Sequence, residues 1–310
     1  MRNLIAIAFC WLVLAQVNGQ SFERSYAQYV DRVRPEAVSG RIPTLPYDLL
    51  REQKSVSRVL PVIDNVLSDS LVIIRRLGYQ SLDVLQGVFN ETIEKQQILG
   101  LQFKGLEDPA SEIQTISLDN ISEVSAELFT VPQKSRLIAM LKQNVASKEV
   151  LVELVGKLGD NSAIPDLRSL SQPGNSPKMR WAAYLALARL GDQSAIATIE
   201  SKVRNLEVDS DVVYNVIPGL IYTNQKQLYD YLVQELNKDE RNCEPADPDQ
   251  VRSINCAFRI LELLAPKIEG FPIGVSASGD LDTRNYRQAL QTAREWFQAN
   301  SDYQIVSSAD

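Results

Sequence analysis

Leu158-Gly159-Asp160-Asn161-Ser162-Ala163-Ile164 returns 32 residues later as Leu190-Gly191-Asp192-Gln193-Ser194-Ala195-Ile196, changed only where Gln193 replaces Asn161. Each copy closes one helical pattern of apolar residues and opens another. Glycine takes the left-handed conformation that ends a helix, and aspartate caps the helix that follows. A fixed period of roughly 20 to 50 residues, carried by helix pairs, reads as an α-solenoid. The expected fold class is therefore all-α, a solenoid of antiparallel helix pairs with a period of about 32 residues.

The spacing predicts an array over residues 132–299. Ser135 to Val145, Glu149 to Leu158 and Ser162 to Leu170 read as helices, and Pro173-Gly174-Asn175-Ser176-Pro177 as a turn. Met179, Ala182, Ala183, Ala186, Leu187 and Leu190 form one apolar stripe, which Ile196, Ile199 and Val203 continue on the next helix. A further step of 32 reaches Thr223-Asn224, between expected helices Val212 to Tyr222 and Lys226 to Leu236. Val251 to Leu264 and Thr283 to Phe297 form a last pair across a Pro/Gly-rich link, with residues 300–310 as a tail.

Upstream the pattern is weaker. Residues 20–47, with Pro35, Gly40, Pro43 and Pro46, read as an extended strap after a short helical piece from Phe22 to Val33. A helical region over 48–131 follows, with a buried stripe from Val56 to Leu67. Arg76-Leu77-Gly78 there echoes the Leu-Gly-Asp junction as a degenerate repeat. Between Gly100 and Pro132 the alternation of Ile113, Thr115, Ile116 and Ile121 suggests an irregular insertion with a short hairpin.

Arg2, the apolar run from Leu4 to Ala15 and the small residues of Val17-Asn18-Gly19 read as a signal peptide over residues 1–19, too short to span a bilayer. The expectation is a secreted or periplasmic protein cleaved near Gly19/Gln20, with no membrane insertion. Cys10 leaves with the leader, and Cys243 and Cys256 remain as a pair suited to a disulfide in an oxidising compartment. The 32 Lys and Arg against 39 Asp and Glu give a net charge of −7 without a basic ladder, which argues against nucleic acid as a partner. The chain contains no histidine, and this excludes Ser-His-Asp and Cys-His nucleophile activation and His-ligated metal sites. Two thiolates alone do not complete a tetrahedral zinc site, and no cofactor is expected. Asn90-Glu91-Thr92 and Asn120-Ile121-Ser122 are N-glycosylation sequons.

Met179-Arg180-Trp181-Ala182-Ala183-Tyr184-Leu185-Ala186-Leu187-Ala188-Arg189-Leu190-Gly191-Asp192 resembles the consensus of HEAT repeats of the phycobilisome-lyase-like type, apolar-Arg-x-Ala-Ala-x-x-Ala-Leu-x-x-Leu-Gly-Asp. The resemblance is close over this repeat, good over Leu154 to Leu167, and covers about a quarter of the chain well. It implies architecture, since such repeats occur in scaffolds, adaptors and some bilin lyases. Export argues against a lyase.

The expected function is an exported, non-enzymatic binding or scaffold protein whose partner is another protein. The rivals are a carbohydrate-active enzyme using a carboxylate pair and a spacer without a specific ligand. In a solenoid the second helices of successive pairs line an extended surface. Ser169, Ser201, Arg204, Tyr229 and Asp230 fall in its exposed columns and are the candidate partner-binding residues; no catalytic residue is assigned. Asp166 and Asp230, the acids in matching columns, sit two repeats apart, too far for glycoside chemistry.

Overall fold

The computed structural model describes residues 21–245, 252–276 and 279–306. The signal-peptide reading of residues 1–19 lies outside them. Among the described residues the chain is all-helical: there is no strand, only three isolated antiparallel bridges. No helix there is long and apolar enough to cross a membrane. The contacts divide the described residues into two compact units, one up to residue 124 with 145–147 and the other 125–144 with those from 148 on.

In the first unit, helices α1 (Phe22–Val38), α2 (Tyr47–Arg51), α3 (Val56–Leu67), α5 (Thr92–Gln102) and α6 (Ser111–Glu123) all pack on α4 (Val72–Val88). The strap expected over 20–47 is thus largely helical. Ser21 accepts the backbone N–H of Arg24 at the start of α1, and Tyr26, Tyr29, Val30, Val33 and Ala37 bury one face of it. Pro35 lies inside this helix and does not stop it. The Tyr26 and Ser81 hydroxyls are 2.7 Å apart, both buried, joining α1 to α4.

Gly78 is no repeat junction. It sits mid-helix in α4, where a Cβ would come 2.7 Å from Leu67 Cδ2, so it admits the close approach of α3. The insertion expected between Gly100 and Pro132 is helical as well, with a 3-10 turn at Phe103–Glu107 before α6. Ile113, Ser117, Leu118 and Ile121 are buried at helical spacing, and this overrides the β-branched alternation. Arg75 holds Asp108 through two hydrogen bonds of 2.7 and 2.8 Å, and Asp108 also accepts the N–H of Ala110 just ahead of α6.

The second unit carries α7 (Val131–Met140), α8 (Lys148–Lys157), α9 (Ile164–Leu170), α10 (Pro177–Arg189), α11 (Gln193–Val203), α12 (Ser210–Asn215), α13 (Ile217–Tyr222), α14 (Lys226–Leu236), α15 (Ala257–Leu264) and α16 (Tyr286–Ala299). The helix expected over Val212 to Tyr222 is broken at Val216, two residues before Pro218, which has no N–H to bond back to Tyr214. The expected helix from Val251 begins only at Ala257, after the second cysteine.

Helix α10 shows the repeat's local logic. Ser176 accepts the N–H of Met179, and Pro177 opens the first turn. At the far end the N–H groups of Gly191 and Asp192 bond back to Ala188 and Leu187, the paired bonds of a Schellman cap, with Gly191 at φ +83°. Asp192 then accepts the N–H of Ala195 to start α11 and receives Arg168 at 2.8 Å. Burial pushes the Asp192 carboxyl up, but Arg168 and the backbone donors outweigh it and hold it below the usual range. Left-handed residues recur at Gly159, Gly191 and Asn224, so the second interval is one residue longer than the first.

Helix α8 packs on α10, α10 on α13 and α13 on α15, while α11 packs on α14 and α14 on α16. Gly156 of α8 lies against Ala186 of α10: a Cβ there would come 2.8 Å from the Ala186 backbone and 2.3 Å from the Tyr222 hydroxyl. Gly100, in α5, has open space around it. Gly156→Ala should therefore cost about 1–3 kcal/mol through overpacking, whereas Gly100→Ala should gain up to about 1 kcal/mol from helix propensity. Denaturant melts of the two variants check both signs.

Candidate functional site

The face predicted from the second helices is only partly exposed. Ser169 and Ser201 are exposed. Arg204 is also exposed but is held by Glu200, at 2.7 and 3.0 Å, and by Gln234 at 3.0 Å, with its guanidinium over the Tyr231 ring. Asp230 is half-buried, receives Lys226 at 2.8 Å, and accepts the Tyr303 hydroxyl at 2.8 Å.

Tyr229 is not on this face. It is 1% exposed, its hydroxyl donates to the Ile221 carbonyl at 3.1 Å, and burial pushes its pKa up to about 12. The reason is the longer second interval. A step of 32 pairs Tyr229 with the exposed Ala197, but a step of 33 pairs it with Ile196, which is buried. One residue of slip turns a helical side chain by about 100°. Tyr214, in α12, is 60% exposed.

Cys243 and Cys256 form a disulfide. Both are buried, and Cys243 and Ile254 exchange two backbone hydrogen bonds, of 3.2 and 2.8 Å, beside it. The bond ties the segment after α14 to the N-terminal end of α15.

The periodicity did not point to a groove of about 470 Å³ across α8, α10 and the α12–α13 break. Its apolar wall is built by Leu185, Pro218 and the half-buried Trp181 and Tyr222, and its charged rim by Glu149, Glu153 and Lys178. The Tyr222 hydroxyl donates to the Glu153 carbonyl at 2.5 Å, and Arg189 stacks 4.9 Å above the Tyr222 ring and donates to the Tyr222 carbonyl. Desolvation pushes the Glu153 carboxyl above its ordinary value, with Lys178 opposing and Glu149 adding to the rise. The signal that could have located this groove is Trp181, a large aromatic at an unspecified position of the repeat consensus, beside the alanines that pack the first helix.

A second cleft, of about 790 Å³, lies in the first unit and is lined by Tyr47, Arg51, Gln80, Asp83, Asp119 and Asn120 among others. Desolvation raises the carboxyls of both Asp83 and Asp119, and the charge of Glu123 raises both further. Asp83 and Asp119 thus line one cleft together, which the sequence columns of Asp166 and Asp230 did not point to. Asp166 is instead paired with Lys142 at 3.4 Å. Arg180 and Asp192 do not pair with each other: Asp192 is the cap of α11 and the partner of Arg168.

No protein-family model matches the chain, and no curated protein matches it.

Reduction of the disulfide should loosen the structure locally, because the bond closes only the short segment between α14 and α15 and proteins open in local units. Amide exchange should accelerate over 239–264 on adding a reductant, with 148–203 unchanged. A uniform acceleration over the second unit would contradict this.

Proposed function

We propose that the chain is an exported, non-enzymatic scaffold whose helix pairs stack as a HEAT-like solenoid and which binds another protein. The packing order α8–α10–α13–α15 beside α11–α14–α16, together with left-handed residues at 159, 191 and 224, supports the solenoid reading. The leader-like residues 1–19 support export, and the disulfide suits an oxidising compartment. The observation that carries the binding reading is Trp181, half-buried on the wall of an open groove. Aromatic residues in such positions dominate protein interfaces, because they bury a large area with little loss of conformational freedom.

A partner protein inserting an apolar side chain beside Trp181 would find Lys178 and Glu153 at the rim for its polar flanks. Trp181→Ala should abolish capture of that partner from the exported fraction while helical content stays unchanged, since the side chain is not in the core. If capture survives Trp181→Ala and is lost with Arg204→Glu, the second-helix face of Ser169, Ser201, Arg204 and Asp230 is the docking site instead.

One observation favours a second reading, a carbohydrate-active enzyme. Asp83 and Asp119 line one cleft, and both carboxyls hold their protons more tightly than usual. Glycoside hydrolysis uses such a pair, one member protonated as general acid. Glycan turnover by the wild-type chain that Asp83→Asn and Asp119→Asn each reduce about a hundredfold or more would establish it. Turnover that is absent, or unaffected by both changes, removes it.

A further inference from the structure

Between the disulfide and the last helix, a cleft of about 570 Å³ gathers Arg241, Arg252, Arg287 and Arg294, with Asp239 as its one carboxylate. This is a concentrated positive site in a chain of net charge −7. Two of the arginines belong to α16, where Arg287, Leu290, Gln291 and Arg294 follow one another at the 3- and 4-residue steps of a single helix face. The other two stand on the segments that the disulfide joins, Arg241 two residues before Cys243 and Arg252 four before Cys256.

The four have different work. Arg294 is structural: it donates to the carbonyls of Leu236 and Lys238 at 2.7 and 2.9 Å and to Asp239 at 2.8 Å, fixing the end of α14 against α16. The exposed side chains of Arg241, Arg252 and Arg287 make no hydrogen bond or ion pair with another described residue. Folding thus assembles around one cleft three guanidinium groups that have no counter-ion among the described residues, an arrangement that mutual repulsion disfavours until an anion enters.

The lining narrows the anion. Guanidinium forks match carboxylates through paired hydrogen bonds. Ile254, Phe258 and Leu290 add an apolar part to the lining, with the Phe258 ring held edge-on by Tyr286 at 5.9 Å. Cations with an apolar part to the lining suit a ligand that carries an apolar side chain between its acids. The volume takes a few residues of a peptide, and the positive surface is far too short for a nucleic-acid backbone, which needs an extended basic track.

We propose that this cleft binds a short acidic protein segment, with Arg241, Arg252 and Arg287 receiving its carboxylates and Phe258 and Leu290 its apolar side chain. The proposal rests on the reading of the chain as a protein-binding scaffold, and it uses a surface separate from the Trp181 groove.

The test is a fluorescence-anisotropy titration of the purified, oxidised protein with a labelled peptide of repeating Asp-Glu-Phe. Arg241→Glu and Arg287→Glu should each weaken binding about tenfold or more, whereas the charge-matched change Arg58→Glu, in the first unit, should leave it unchanged. Replacing Phe by Ser throughout the peptide should weaken binding by a similar factor. All four sites are exposed or on the ligand, so thermal melts of the protein variants should overlay the wild type. Absence of saturable binding, or equal affinity for wild type and Arg287→Glu, overturns the proposal. So does Arg287-dependent binding of a heparin-derived oligosaccharide when the peptide does not bind, which would assign the cleft to sulfated glycans. Partner capture through Trp181 with no peptide binding here would remove this proposal and leave the broader reading standing.

Discussion

The second unit depends on how closely α8 and α10 approach, and one tyrosine records that distance. Tyr222, from α13, reaches across to donate its hydroxyl to the Glu153 carbonyl of α8, while Arg189 at the end of α10 stacks on its ring and bonds its carbonyl. Three helices separated by up to 69 residues in sequence are joined at this point. The hydroxyl fits only because residue 156 has no Cβ and residue 186 is alanine. The alanines of α10 thus set a spacing, and the polar chain through Tyr222 fixes its register. The groove walled by Trp181 is also lined by Tyr222 and Glu153, so it opens beside this junction.

The first unit has no comparable repeat and is held by pairings of another kind. Arg75 with Asp108 and Arg34 with Asp69 connect segments 33 and 35 residues apart. A nearly buried ion pair such as Arg75–Asp108 survives desolvation because its geometry is bidentate and Asp108 has a further backbone donor. Removing either partner would leave the other charged and buried, which is far more costly than the pair is favourable.

How legible this was in the sequence varied with the range of the deciding interaction. The Leu-Gly-Asp junctions were readable because their causes are local: Gly191 takes a positive φ, and Asp192 caps the very next helix. The cysteine pair was readable from composition alone. Helix α1 was read as ending at Val33 and instead runs to Val38, because burial of Tyr29, Val33 and Ala37 outweighs the one backbone bond that Pro35 cannot donate. Tyr229 was placed on the wrong side by carrying a period of 32 across an interval of 33, an error invisible until the left-handed residue is seen at Asn224 rather than at Thr223. The Trp181 groove and the arginine cleft join residues far apart along the chain, and no local pattern announces either.

The arginine cleft also bears on how the chain responds to its surroundings. Guanidinium groups keep their charge throughout the biological pH range, and this chain has no histidine to add or withdraw charge between pH 5 and 8. With neither group titrating, the potential at the cleft changes little between pH 5 and 8. Its reach is set instead by dissolved ions: about 10 Å in 0.1 M salt and three times that in a tenfold dilution. Salt therefore changes the reach of this field more than a change of pH between 5 and 8 does.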